Sequence, residues 1–241
     1  YTKTKELSIK VSDVSMLSKN IYPLPNIKEK DGKSFFSFDD KELRYRNRYM
    51  DLIVNPEVKN VFVKRSRIIN EIRSFLNSKD YLEVETPILQ PIYGGANAKP
   101  FKTYHNTLDK DLYLRIADEL YLKRLIIGGF DRVYEISKNF RNEGMDRSHN
   151  PEFTMLEFYQ SYADVNDMME VTENMIKNIF SKISDELFFL YDGNTINMNN
   201  DFEILDFKKS IKKYANIDID EMTKEDLMKF IKEEKIKISK N

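Results

Sequence analysis

From residue 57 onward the chain alternates between two hydrophobic periods. Over 57–79, Val61, Ile68, Ile69, Ile72, Phe75 and Leu76 recur at helical spacing, with Lys64, Arg65, Arg67 and Arg73 between them, which predicts an amphipathic helix. Residues 81–89 switch to a period of two. Pro87, with no N–H to give a ladder, makes that run an edge or end strand. Gly94-Gly95-Ala96 reads as a loop and 113–116 as a short strand, and Asp118 opens a helix through Ile127 that Gly128 ends. Residues 132–143 and 152–163 predict two strands joined by the polar loop Gly144–Pro151. The first places Val133, Glu135, Ser137, Asn139, Arg141 and Glu143 on one parity, and the second Phe153, Met155, Glu157, Tyr159 and Ser161. A helix over 166–184, a small hairpin over 188–198 turning at Asp192-Gly193-Asn194, and two short helices opening near Asp206 and Thr223 complete the pattern. Thr223 and Asp226 have the spacing of a capping box.

The first quarter is less regular. Residues 1–22 alternate weakly (Leu7, Ile9, Val11), as in a strand followed by a connector that Pro23 and Pro25 stop. Residues 26–48 are polar and read as a linker, with Arg44, Arg46 and Arg48 as a solvated face. Hairpin-linked strands without regular βαβ alternation define an α+β protein.

Composition narrows the chemistry. The 241 residues carry 39 Lys+Arg against 40 Asp+Glu, a net charge of −1, so no overall electrostatic footprint for nucleic acid is present. The absence of cysteine removes disulfides, thiolate zinc sites and thiol nucleophiles, and two histidines cannot build a three-His metal site. No run approaches the roughly 20 apolar residues of a membrane helix. The chain begins Tyr1-Thr2-Lys3, with neither Met nor an apolar leader, and reads as a piece of something longer. With only seven glycines in the chain, the pairs Gly94-Gly95 and Gly128-Gly129 mark places where backbone turns tightly or comes close to another group.

The long hairpin carries the candidate chemistry. If it is regular, one surface presents the Arg141 guanidinium, the Glu143 and Glu157 carboxylates, the Phe153 ring and the Tyr159 phenol together. That set suits a ligand with an anionic group, a flat ring and a cation. Spacing alone favours the plainer reading, an amphipathic strand with Arg and Glu in water and Phe in a core.

The words of the sequence go further than its period. Phe140-Arg141-Asn142-Glu143-Gly144, followed by His149-Asn150-Pro151-Glu152-Phe153-Thr154-Met155-Leu156-Glu157-Phe158-Tyr159, resembles motif 2 of the class II aminoacyl-tRNA synthetases in its lysyl form. Residues 57–91, ending Val84-Glu85-Thr86-Pro87, resemble motif 1, and Gly94-Gly95-Ala96 and 112–125 also match the lysyl pattern. The likeness runs from about residue 5 to residue 215.

The resemblance implies a class II synthetase-type antiparallel sheet flanked by helices, incomplete in this chain. It implies that residues 1–22 end an OB-fold anticodon-binding domain, 23–56 are a linker, and 57–241 begin the catalytic domain, with motif 1 at 57–91 and motif 2 at 132–163. It implies ATP-dependent activation of L-lysine to lysyl-adenylate, transfer to tRNA(Lys), a homodimer formed through motif 1, a cytoplasmic location and no membrane association. Arg141 is then the catalytic residue, on the α-phosphate and the lysine carboxylate; Glu143, His149 and Phe153 bind ATP; Glu157 and Tyr159 read the ε-ammonium; Glu119 and the Gly95 backbone bind the α-amino group.

Motif 3, the Mg²⁺-binding carboxylates, and a further lysine-reading Glu and Asn are expected downstream of residue 241, leaving no metal ligand here and an isolated chain that is inactive and poorly soluble. Ser148 stands where many relatives have Arg, with Arg147 one place earlier. Two alternatives stay open: a paralogue that attaches lysine-type groups to an elongation factor, and a non-catalytic dimerising or RNA-binding fragment.

Overall fold

The computed structural model describes residues 5–21, 24, 27–30, 33–36, 38 and 40–236. The start of the chain, both prolines expected to stop the first strand, and the end of the Lys-rich tail lie outside the described residues. The elements, in order, are β1 (Ile27–Lys30), β2 (Lys33–Phe36), α1 (Lys41–Arg46), α2 (Arg48–Val54), α3 (Pro56–Ser78), β3 (Leu82–Glu83), β4 (Leu89–Gln90), β5 (Lys102–His105), β6 (Lys110–Leu114), α4 (Glu119–Ile127), β7 (Arg132–Phe140), β8 (Glu152–Gln160), α5 (Val165–Ile183), β9 (Phe188–Tyr191), β10 (Asn194–Asn197), α6 (Phe207–Ala215) and α7 (Lys224–Glu233). They fall into two compact units, Tyr1–Asn70 and Glu71–Asn241, divided within α3.

The first unit departs from expectation in two places. Residues 5–21 enter no sheet, and Leu7, Ile9 and Val11 are exposed. Alternation makes a strand only where a neighbouring edge takes up its N–H and C=O groups. In the stretch 26–48, β1 and β2 pair antiparallel, with Ile27 opposite Phe36, before α1 and α2 begin. The arginine set is not one solvated face. Arg44 Nε and Arg48 Nη1 both donate to the buried Asp51, at 2.7 and 2.5 Å, and Asn55 Nδ2 adds a third bond at 2.8 Å. Only Arg46 pairs at the surface, with Glu42.

In the second unit, β7 and β8 form the antiparallel hairpin read from the sequence, in register from Arg132–Gln160 to Phe140–Glu152. The run 81–89 is not one strand. It splits around Pro87, β3 joining β7 in parallel and β4 joining β6 in a separate antiparallel sheet of order β4-β6-β5. The α+β architecture and the antiparallel pairing of the hairpin therefore stand. Asp164 caps α5 and Thr223 caps α7, each through a capping box.

The two faces of the hairpin differ. Tyr134, Ile136, Leu156 and Phe158 share one face and pack with Phe75 and Leu76 of α3 and Val171, Met175 and Ile179 of α5. Tyr134 and Leu76 are wholly buried there. The Tyr134 hydroxyl escapes the apolar cost by donating to Asn77 Oδ1 at 3.0 Å and Glu83 Oε2 at 3.1 Å. The opposite face carries Glu135, Ser137, Asn139, Phe153, Glu157 and Tyr159. Apolar packing on one side thus orients the polar residues on the other.

Candidate active site

The floor of this polar face is a buried ionic network. Arg115, one residue past β6, is 3% exposed and donates from Nη1 to Glu135 Oε1 at 2.7 Å and from Nε to the Lys138 carbonyl at 2.9 Å. Thr86, just before the proline that splits the strand run, donates its hydroxyl to Glu135 Oε2 at 2.7 Å and accepts from Arg115 on its carbonyl. Asp118, also buried, accepts from the Ser137 hydroxyl at 2.6 Å, and Asn139 Nδ2 donates to that hydroxyl at 3.3 Å. Burial, against Ser137 and Arg115, holds the Asp118 carboxyl above its ordinary range.

Above this floor stands an acidic cluster. Glu157 accepts from the Asp118 N–H at 3.2 Å on one oxygen and from the Tyr159 hydroxyl at 2.8 Å on the other. Burial raises the Glu157 carboxyl, and the nearby Asp118 and Glu119 charges add to the shift. Burial and the bond to Glu157 likewise push the Tyr159 phenol up, so it stays a donor. Glu119 opens α4 beside Gly95, which has φ +85°; a Cβ there would stand 2.8 Å from Glu119 Cβ. The exposed Lys123 donates to Glu119 Oε1 at 2.6 Å, with its ammonium 6.0 Å from the Tyr159 ring centre.

The open end of the hairpin forms a cavity of about 580 Å³ lined by Arg141, Glu143, His149 and Phe153 together with loop residues 144–146, 148 and 150. Arg141 lies just past β7, but its N–H still donates to the Pro151 carbonyl at 2.8 Å, which continues the ladder and keeps its parity. Its guanidinium sits 5.0 Å over the Phe153 ring, and its Nε points toward the Ile116 carbonyl at 3.4 Å. Glu143 accepts from the Lys99 N–H at 3.3 Å. The loop is organised by Asp146, which accepts from the Ser148 and His149 N–H groups at 2.7 and 2.8 Å and pairs with the His149 ring at 2.8 Å. The Ser148 N–H and the His149 ring hold the Asp146 carboxyl down at about 2.

Of the eight candidate site residues read from the sequence, Arg141, Glu143, His149 and Phe153 line the cavity, Glu157 and Tyr159 are bonded to each other, and Gly95 lies against Glu119 at the start of α4; Arg141, over Phe153, shares a side of the hairpin with Glu157. Arg115, Glu135 and Asp146 carry no functional role in the sequence pattern, and Asp118 only that of opening a helix. A charged residue inside Tyr113-Leu114-Arg115-Ile116-Ala117 was the available signal for the first. Among the described residues no group of three or more His, Cys, Asp or Glu side chains is arranged to hold a metal ion, and no helix is long and apolar enough to cross a membrane.

The hairpin sets a guanidinium, an aromatic plane and a carboxylate cluster above a helix-backed sheet, and sequence comparison says which family it belongs to. The chain belongs to the class II tRNA synthetases (D, K and N), whose family model matches residues 40–239. It is 49% identical to the lysine–tRNA ligase of Clostridium novyi over 240 residues, covering 99% of this chain and 46% of that protein. Identity to the lysine–tRNA ligase of Clostridium tetani is 48% with the same shares. That of Clostridium botulinum is 52% identical over 217 residues, 90% of this chain and 42% of the relative. The chain thus spans just under half the length of these curated relatives.

Proposed function

We propose that this chain supplies the lysine- and ATP-binding hairpin of a lysine–tRNA ligase working in the cytoplasm. The lysine carboxylate attacks the α-phosphate of ATP, giving lysyl-adenylate and pyrophosphate, and the lysyl group then passes to the terminal ribose of tRNA(Lys). No protein nucleophile takes part, so the chain contributes positioning and charge. Arg141 binds the α-phosphate and the lysine carboxylate and stabilises the negative charge that builds on phosphorus. Loss of one such preorganised contact costs about 3–4 kcal/mol of transition-state stabilisation. Phe153 stacks on the adenine, Glu143 accepts from its amino group, and His149, braced by Asp146, lies along the nucleotide.

At the other end, Glu157 and Tyr159 receive the ε-ammonium, and Glu119 with the Gly95 backbone receives the α-amino group. Both oxygens of Glu157 already hold one donor each, which fixes the carboxylate and leaves lone pairs for an ammonium. Mg²⁺ accompanies ATP, and among the described residues no group of three or more His, Cys, Asp or Glu side chains is arranged to hold it. Motif 1 forms the contact with a second copy; Val61, Phe62 and Val63 on α3 are exposed for it.

The observation that supports this reading best is the single face shared by Arg141 and Glu157, with Phe153 beneath the guanidinium. Lysine-dependent exchange of pyrophosphate into ATP by the complete protein is the test. Exchange that depends on another amino acid, or on none, refutes the lysine assignment. A single-mass monomer by light scattering at micromolar concentration refutes the dimer.

A further inference from the structure

Arg115 joins the β3-β7-β8 and β4-β6-β5 sheets of the second unit through its backbone. Its N–H donates to the Ile88 carbonyl and its carbonyl accepts from the Phe140 N–H, both at 2.9 Å. Its side chain faces two buried carboxylates, Glu135 at 2.7 Å and Asp118 at 3.3 Å. Burying one guanidinium with two acids is a poor way to stabilise a protein, because desolvation offsets the attraction and an apolar core of the same volume does as well or better. The arrangement makes better sense for what it orients. Asp118 Oδ1 receives no hydrogen bond among the described residues and has the Arg115 charge as its recorded ionic contact, while its other oxygen is held by Ser137. The same residue's N–H is the donor that holds Glu157 Oε1. The next residue, Glu119, lies against Gly95. Arg115 therefore governs the turn 117–119 from which both amine-facing acids take their aim, without standing in the cavity itself.

We infer that Arg115 is a positioning residue for amino-acid specificity: its fork, held by Glu135, Thr86 and the Lys138 carbonyl, fixes Asp118 and through it Glu157 and Glu119 for a substrate bearing two ammonium groups. The inference rests on the lysine reading above. Charge alone is not enough, because Arg115 sets one positive charge against two negative ones and the floor stays at −1. The planar guanidinium, reaching several acceptors in fixed directions, does what an ammonium cannot.

The test uses the complete enzyme and three variants: Arg115→Lys, Arg115→Met, and the double variant Arg115→Met with Glu135→Gln, which restores the floor charge of −1 without the fork. Pyrophosphate exchange gives KM for lysine and for ATP, and thermal unfolding gives Tm. In Arg115→Lys and in the double variant, KM for lysine rises about tenfold or more while KM for ATP stays within about twofold. The double variant recovers Tm relative to Arg115→Met but does not recover KM for lysine. Recovery of both together overturns the inference, because neutralisation and not orientation was then the role of Arg115. Parallel rises of both KM values overturn it as well, since the damage is then general. If Arg115→Met does not fold, the lysine and double variants decide alone. A wild-type enzyme whose exchange does not depend on lysine defeats the lysine reading instead, and is seen before any variant is made.

Discussion

Three glycines allow backbone strain and steric contact to be separated by one substitution type. Gly95 has φ +85°, and an alanine Cβ there would lie 2.8 Å from Glu119 Cβ and 3.1 Å from Ala117 Cβ, both held in or beside α4. Gly129 has φ +103° with open space around the new methyl. Gly94 would meet Leu120 Cδ1 at 2.8 Å, the free end of a flexible side chain. A residue with a Cβ at positive φ costs roughly 1–3 kcal/mol, and an unaccommodated methyl about 1–3 kcal/mol more. Gly129→Ala therefore destabilises by about 1–3 kcal/mol from strain alone. Gly94→Ala costs under about 1.5 kcal/mol, as Leu120 rotates away. Gly95→Ala carries both penalties, about 2–6 kcal/mol. The three also differ in activity. Only at Gly95 does the methyl push on Glu119, and a displacement near 1 Å in a positioned group can cost ~10²-fold. Urea unfolding and pyrophosphate exchange on the complete enzyme read the two effects. Gly95→Ala raises KM for lysine strongly, and the other two leave it near wild type. An unchanged lysine KM in a folded Gly95→Ala enzyme refutes the close approach of Gly95 to the amine subsite.

Further outcomes follow from the same site. Glu157→Gln raises KM for lysine far more than KM for ATP; equal losses refute its assignment. Because burial holds the Glu157 carboxyl above its ordinary 4.5 and an ammonium needs it ionised, kcat/KM for lysine falls on acidification with a limb above 4.5, and Glu157→Gln removes that limb. The stability sign is the reverse: the folded state holds this proton more tightly than the unfolded one, so the Glu157 contribution to stability declines as pH rises from 4.5 through the raised value. Asp146→Ala frees His149 and the loop and raises KM for ATP a few-fold with lysine KM unchanged, as steady-state kinetics in each substrate will show. In the wild type the Asp146 carboxylate remains charged until pH falls toward about 2, so its anchoring of the loop persists through mildly acidic conditions. Leu76→Ala, at a fully buried position between the sheet and the helices, costs about 2–5 kcal/mol in urea unfolding.

What could be read from the sequence depended on whether the cause was local. The helices α3, α4 and α5 and the β7–β8 hairpin were legible to within about three residues at each end, because each carries a strong period of its own. Strand β5 was not: Lys102-Thr103-Tyr104-His105 has no apolar alternation and is a strand because β6 pairs with it. The division of 81–89 between two sheets was also hidden, since sheet membership is settled by distant residues such as Val133 and Leu114. Of the candidate site, the eight residues proposed rest on the family's words. The network beneath them was not legible, because the apolar run around Arg115 hints at a buried charge but not at Glu135 and Asp118, the acids that meet it. Lys123 is an exposed helix residue whose ion pair with Glu119, one turn back, no periodicity announces.

The alternation of the central hairpin gives this scaffold separate addresses for folding and for chemistry. Positions such as 134, 136, 156 and 158 answer to the helices behind them, and 139, 153, 157 and 159 answer to whatever lies in front. Mutation can therefore explore new substrates by rewriting every second letter of two ribbons while the letters between keep the protein folded. A hairpin so divided can be inherited by enzymes that recognise quite different amino acids.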